Sequence, residues 1–159
     1  MVKKSLSVLW RYIIAIIIAV IVYGLSTMIL KWTGVTMNGP TLGSRIIETI
    51  VFFVAFCAAV FVLFRKYGQD SFLESSAFLP LCSTAISVIH IVVAVFSSWS
   101  VLWFITTGAS TFAELLFAGG SQLSSLTEIP RTYYLLALVI EDICFIAFSW
   151  IGHFLAQEK

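Results

Sequence analysis

The chain reads as long apolar runs separated by short clusters of charge. Tyr12–Leu30 carries no Asp, Glu, Lys or Arg. At ~1.5 Å per helical residue, such a run crosses a ~30 Å hydrocarbon core. Lys3, Lys4 and Arg11 precede it, as they would a secretory leader, but Lys31-Trp32 follows where a cleavage site would need small residues. The pattern therefore reads as a retained helix. A second run spans about 45–64 and is closed by Arg65 and Lys66, after which Tyr67–Ser75 forms a polar link. Ser75–Ala113 is again free of formal charge, and the last run, about 133–156, is interrupted by Glu141 and Asp142.

These runs predict an all-α integral membrane protein, a bundle of four transmembrane helices in a single membrane domain over 1–159. The expected spans are about 10–30, 45–64, 78–105 and 133–156. The charge-free stretch is too long for one crossing and short for two. Only Ser97 and Ser98 would link two full spans there, and Thr106, Thr107, Gly108, Ser110 and Thr111 sit in the middle of the second. Hydrocarbon tolerates such groups poorly unless protein covers them. The expectation is that the third helix breaks near 106–110 and that a short helix, about 111–118, lies on the outer face or re-enters. A fifth span is the alternative.

Composition strengthens the membrane assignment. Residues AVILMFWYC make up 60% of the 159-residue chain and charged residues only 11%, against about 25% charge in ordinary soluble domains. A formal net charge of +1 offers no basic patch for nucleic acid. The expected partners are the lipid bilayer and other membrane subunits, or further copies of the chain. With both ends cytoplasmic, Lys3, Lys4, Arg11, Arg65, Lys66 and Lys159 lie inside, and Lys31, Arg45 and Arg131 outside. The excess of inner Lys and Arg favours that orientation in a cell membrane. Aromatic belts agree with it: Trp10, Tyr12, Tyr67 and Trp150 at the inner boundary, Trp32, Trp99, Tyr133 and Tyr134 at the outer.

In lipid, helices pack through small and polar residues, because the tails are as apolar as Leu. Ser76, Pro80, Ser83, Ser87, His90, Ala94 and Ser97 recur at alternating steps of four and three, which is one face of a helix. Ile86, Ile89, Val93 and Phe96 form the opposite face, expected to meet lipid. Tyr12, Ala15, Ala19, Tyr23 and Ser26 make a weaker packing stripe on the first span. Helix packing alone accounts for the Ala, Ser and Gly positions.

Three titratable residues fall within the spans. His90 and Glu141 lie at equal depth in the four-span topology, ~12 Å below the outer boundary, so they are expected to meet. Asp142 is turned about 100° from Glu141 around the helix, and His90 cannot serve both. The second carboxyl then needs Glu48 or Arg45 at the outer end of span two, the 106–111 break, water or another protein. The cluster reads either as a clasp fixing helix register or as a proton or cation relay, with Glu48, Glu114 and Arg45 nearer the outer mouth. Glu48, Glu114 and His153 taken singly read as interfacial, and Arg11 as a side chain that snorkels to headgroups. Cys57, Cys82 and Cys144 read as small core residues.

No Walker loop, GxGxxG, HExxH or CxxC is present, and the interface loops pair no nucleophile with a histidine. An enzyme is not expected, nor any cofactor or metal. The leading expectation is a subunit of a larger membrane transport assembly. A homo-oligomeric ion channel or ion-coupled carrier is one alternative, and a non-transporting regulatory or protective membrane protein the other.

Overall fold

The computed structural model describes residues 2–36, 41–70, 78–96 and 131–157. They form α1 (Val2–Trp32), α2 (Leu42–Asp70), α3 (Phe78–Phe96) and α4 (Arg131–Gln157), with no strand among the described residues. All four are long and apolar enough to cross a membrane. The expected short helix at 111–118, the break at 106–110 and the end of the third span lie outside the described residues, as do Glu114 and Ser97.

The helices outrun the apolar runs that predicted them. Hydropathy marks the part of a helix immersed in lipid, whereas intrahelical hydrogen bonds continue into the interface, where Lys and Arg are comfortable. So α1 begins at Val2 rather than near residue 10, and α2 runs past Arg65 and Lys66 to Asp70. The ends have local causes. At the start of α2, Thr41 and Ser44 bond each other's backbone N–H through their hydroxyls, at 3.2 and 3.0 Å, which satisfies donors the helix cannot. At the end of α1, Gly34 takes φ 81°. Val35 N–H then reaches Leu30 O at 3.1 Å and Gly34 N–H reaches Lys31 O at 3.2 Å, a left-handed closure that glycine permits without strain.

Helix order around the bundle is α1, α2, α4, α3: α2 packs most extensively on α4 and α1, and α3 on α4 and, more slightly, α1. Contacts set the directions. Tyr12 meets Phe56 while Tyr23 meets Phe52, so α1 and α2 are antiparallel. Gly152 abuts Phe61 and Arg65, which brings the late turns of α2 and α4 to one level. The main core joins Val8, Tyr12, Ala15 and Ala19 of α1 to Phe52, Phe56, Val60 and Phe64 of α2, with Leu79 and Ile86 of α3 and Phe145 of α4. A smaller seam of Ala94 and Leu138 joins α3 to α4.

Two contacts hold α2 close to its neighbours. A Cβ on Gly152 would stand 2.7 Å from the Phe61 carbonyl oxygen, so this crossing requires glycine. Arg11 Nη1 donates to Leu63 O at 2.6 Å. The guanidinium that snorkelling would send to headgroups is instead held by a backbone carbonyl of α2.

Candidate functional site

The bundle turns one buried polar group from each of three helices toward a common point. Tyr12 of α1, His90 of α3 and Asp142 of α4 form a triangle. The Tyr12 hydroxyl lies 2.6 Å from His90 Nδ1 and donates to Asp142 Oδ1 at 3.1 Å, while His90 Nδ1 and Asp142 Oδ1 are 3.2 Å apart. Tyr12 and Asp142 are almost completely buried, and the His90 side chain is 9% exposed. Aromatic packing holds the triangle in place. The Tyr12 ring lies 4.4 Å from Phe145, 5.6 Å from the His90 ring and 6.3 Å from Phe56, centroid to centroid.

Proton arithmetic limits what this triangle can do. Tyr12 has one O–H to donate. While it donates to Asp142, the short contact to His90 requires a proton on Nδ1, with the phenol oxygen accepting. With Nδ1 bare, the hydroxyl has a second acceptor and can tie α1 to α3 instead of α4. The hydrogen-bond pattern between three helices is thus set by where protons sit.

Glu141 occupies the next position on α4, 1% exposed, and neither of its carboxyl oxygens has a hydrogen-bond partner among the described residues. Asp142 Oδ2, His90 Nε2 and Ser87 Oγ are likewise buried without partners. These orphan acceptors and donors lie on α3 and α4, the helices that supply two corners of the triangle. An ionised carboxylate in such surroundings carries a desolvation cost of several kcal/mol. A proton, a cation or ordered water removes that cost. Among the described residues, no group of three His, Cys, Asp or Glu is arranged to hold a metal ion.

The pairing differs from the expected one. His90 meets Asp142, not Glu141, because α3 packs on the side of α4 that carries Leu138 and Asp142. Tyr12 enters as a corner of the triangle, although it stood among the inner-belt aromatics by sequence. Its place on the Ala15–Ala19 face was the available signal, and the early start of α1 carries it inside. Along α4, Asp142 is ~16 Å from the Arg131 end and ~22 Å from the Gln157 end.

Other expectations are corrected as well. Glu48 is 3% exposed and bonded to Arg45 at 3.2 Å, so it is not a solvated interfacial charge. Because Glu48 engages Arg45 one helical turn away, that arginine is committed outside the triangle. His153 and Tyr134, read by sequence as interfacial, are buried within the bundle. On α3, Ser83, Ser87 and Ala94 are buried as their stripe implies, and Ile89, Val93 and Phe96 are exposed. Ile86 of the expected lipid face instead joins the main core. Its turn of α3 comes close enough to the aromatic core of the bundle to be covered. Cys57, Cys82 and Cys144 are half-buried free thiols, and Cys57 of α2 lies beside Cys144 of α4. Comparison with family models, with characterised proteins and with solved structures finds no match to this chain in any of the three.

Proposed function

We propose that this chain is a small subunit of a larger membrane transport assembly, in which the buried polar centre couples a proton or cation to helix packing. The observation that carries this reading is the Tyr12–His90–Asp142 triangle, drawn from three helices and covered by the chain itself. A clasp needed only for register is obtainable from Ser and Ala contacts, which avoid the desolvation cost of ionisable groups. A proton gained or lost at His90 Nδ1 redirects the single Tyr12 hydrogen. Coupling follows directly: a proton or cation arriving at the adjacent carboxyls of α4 changes the charge beside Asp142 Oδ1, and with it the balance of the Tyr12 hydroxyl between Asp142 on α4 and His90 on α3. The four described helices are few to enclose a pathway alone, which favours work within an assembly. No step of bond making or breaking in a substrate is invoked, so the proposed role is not enzymatic.

Purification in mild detergent followed by reconstitution into liposomes tests the proposal. Co-purifying subunits are expected, with proton or cation flux that Asp142→Asn and His90→Ala abolish while the assembly persists. A single-component oligomer that moves ions would replace the subunit reading with a self-assembled carrier. An inert monomer, unchanged by either substitution, would leave a regulatory role instead.

A further inference from the structure

Two adjacent carboxyls are buried at one level of α4, yet their surroundings differ. Asp142 Oδ1 accepts from Tyr12 and lies beside His90 Nδ1. Both oxygens of Glu141 lack a hydrogen-bond partner among the described residues, and the side chain is among the largest that are fully buried. The groups facing this region are Tyr12 from α1, His90 from α3, and Asp142 and Cys144 on α4 itself; α2 contributes Cys57 against Cys144. Arg45 and Arg11, on the helices packed beside it, are engaged by Glu48 and by the Leu63 carbonyl. Asp142 thus has donors to stabilise a negative charge, and Glu141 has none within hydrogen-bond reach among the described residues.

We propose that Glu141 is the proton-binding carboxyl of this centre, carrying its proton inside the bundle, while the Tyr12–His90–Asp142 triangle beside it holds the ionised aspartate. The division follows from solvation. A neutral acid loses little by leaving water, whereas an ion needs partners to replace its hydration. A metal cation is the poorer occupant, since no set of three ligating side chains converges among the described residues. The inference rests on the proposed coupling role only for what the proton accomplishes; the proton's location is a separate, measurable property.

Infrared spectroscopy of the purified protein in lipid tests it without any flux assay. A protonated carboxyl absorbs as a C=O stretch above the amide bands, at higher wavenumber when no hydrogen bond weakens it, whereas an ionised carboxylate does not absorb there. The expected spectrum at neutral pH contains one such band. It disappears in Glu141→Gln, persists in Asp142→Asn, and moves to lower wavenumber in wild-type protein made with glutamate bearing heavy carbon in its side-chain carboxyl. The isotope experiment needs no substitution, so poor folding of a variant cannot decide the matter. Absence of the band, or a band insensitive to labelled glutamate but shifted by labelled aspartate, overturns the proposal. A Glu141 band in a protein whose flux is unaffected by Glu141→Gln, Asp142→Asn and His90→Ala would sustain the proton site and reject the coupling role. Flux lost in Glu141→Gln without any such band would do the reverse.

Discussion

Replacing Tyr12 by Phe removes one oxygen from the centre of the bundle and leaves the ring packing intact. The ring contacts with Phe145 at 4.4 Å and Phe56 at 6.3 Å survive, so no large cavity opens. What is lost is the 3.1 Å bond to Asp142 and the 2.6 Å contact with His90. Hydrogen bonds between membrane helices average about 0.6 kcal/mol and reach about 1.7. Two of them give a loss of about 1–3 kcal/mol, towards the lower end because His90 and Asp142 retain each other at 3.2 Å. The measurement is equilibrium unfolding in mixed micelles, run as a cycle of Tyr12→Phe, Asp142→Asn and the double variant. If the triangle acts as a unit, the double variant costs less than the sum, with a coupling of about 0.5 kcal/mol or more. Strict additivity, or a Tyr12→Phe protein as stable as wild type, would refute the view that this hydroxyl ties the helices together.

Three further outcomes follow from the geometry. Gly152→Ala should destabilise the bundle by about 1–3 kcal/mol, because its Cβ would meet a backbone oxygen at 2.7 Å; thermal unfolding unchanged from wild type would contradict the close α2–α4 approach. Arg11→Met should cost about 1 kcal/mol in the same assay through loss of the bond to Leu63 O, with Arg11→Lys partly restoring it. At the Arg45–Glu48 pair, Arg45→Ala should cost about 2–3 kcal/mol by leaving Glu48 buried and charged. Glu48→Gln should cost less than about 1 kcal/mol, since Arg45, 21% exposed, can turn to water. Equal losses in the two variants would contradict this account.

Small residues at steps of three and four were enough to indicate which side of α3 turns inward, and Ser83, Ser87 and Ala94 are buried accordingly. The same reasoning picked out His90, Glu141 and Asp142, since ionisable residues inside an apolar run must either find partners or hold protons. Their pairing was not legible. Glu141 and Asp142 differ by one position, and only the side of α4 against which α3 packs selects Asp142 for His90. Tyr12 illustrates the same limit. A tyrosine at the edge of an apolar run resembles an interfacial anchor until the helix is known to begin two or more turns earlier.

The sequence by itself determined the class of the protein and the apolar body of each span, because the bilayer imposes a hydrophobic length that local composition must meet. It also determined which ionisable groups lie within those spans. Helix order around the bundle belonged to the tertiary structure alone, with α2 and α3 sharing little contact although they follow one another in the chain. So did the glycine-tight α2–α4 crossing, the Arg11 bond to a distant carbonyl and the meeting of Tyr12, His90 and Asp142. Lipid is nearly indifferent to which apolar face meets which. The choice therefore rests on backbone approach and paired polar groups, and both are relations between residues far apart in the chain.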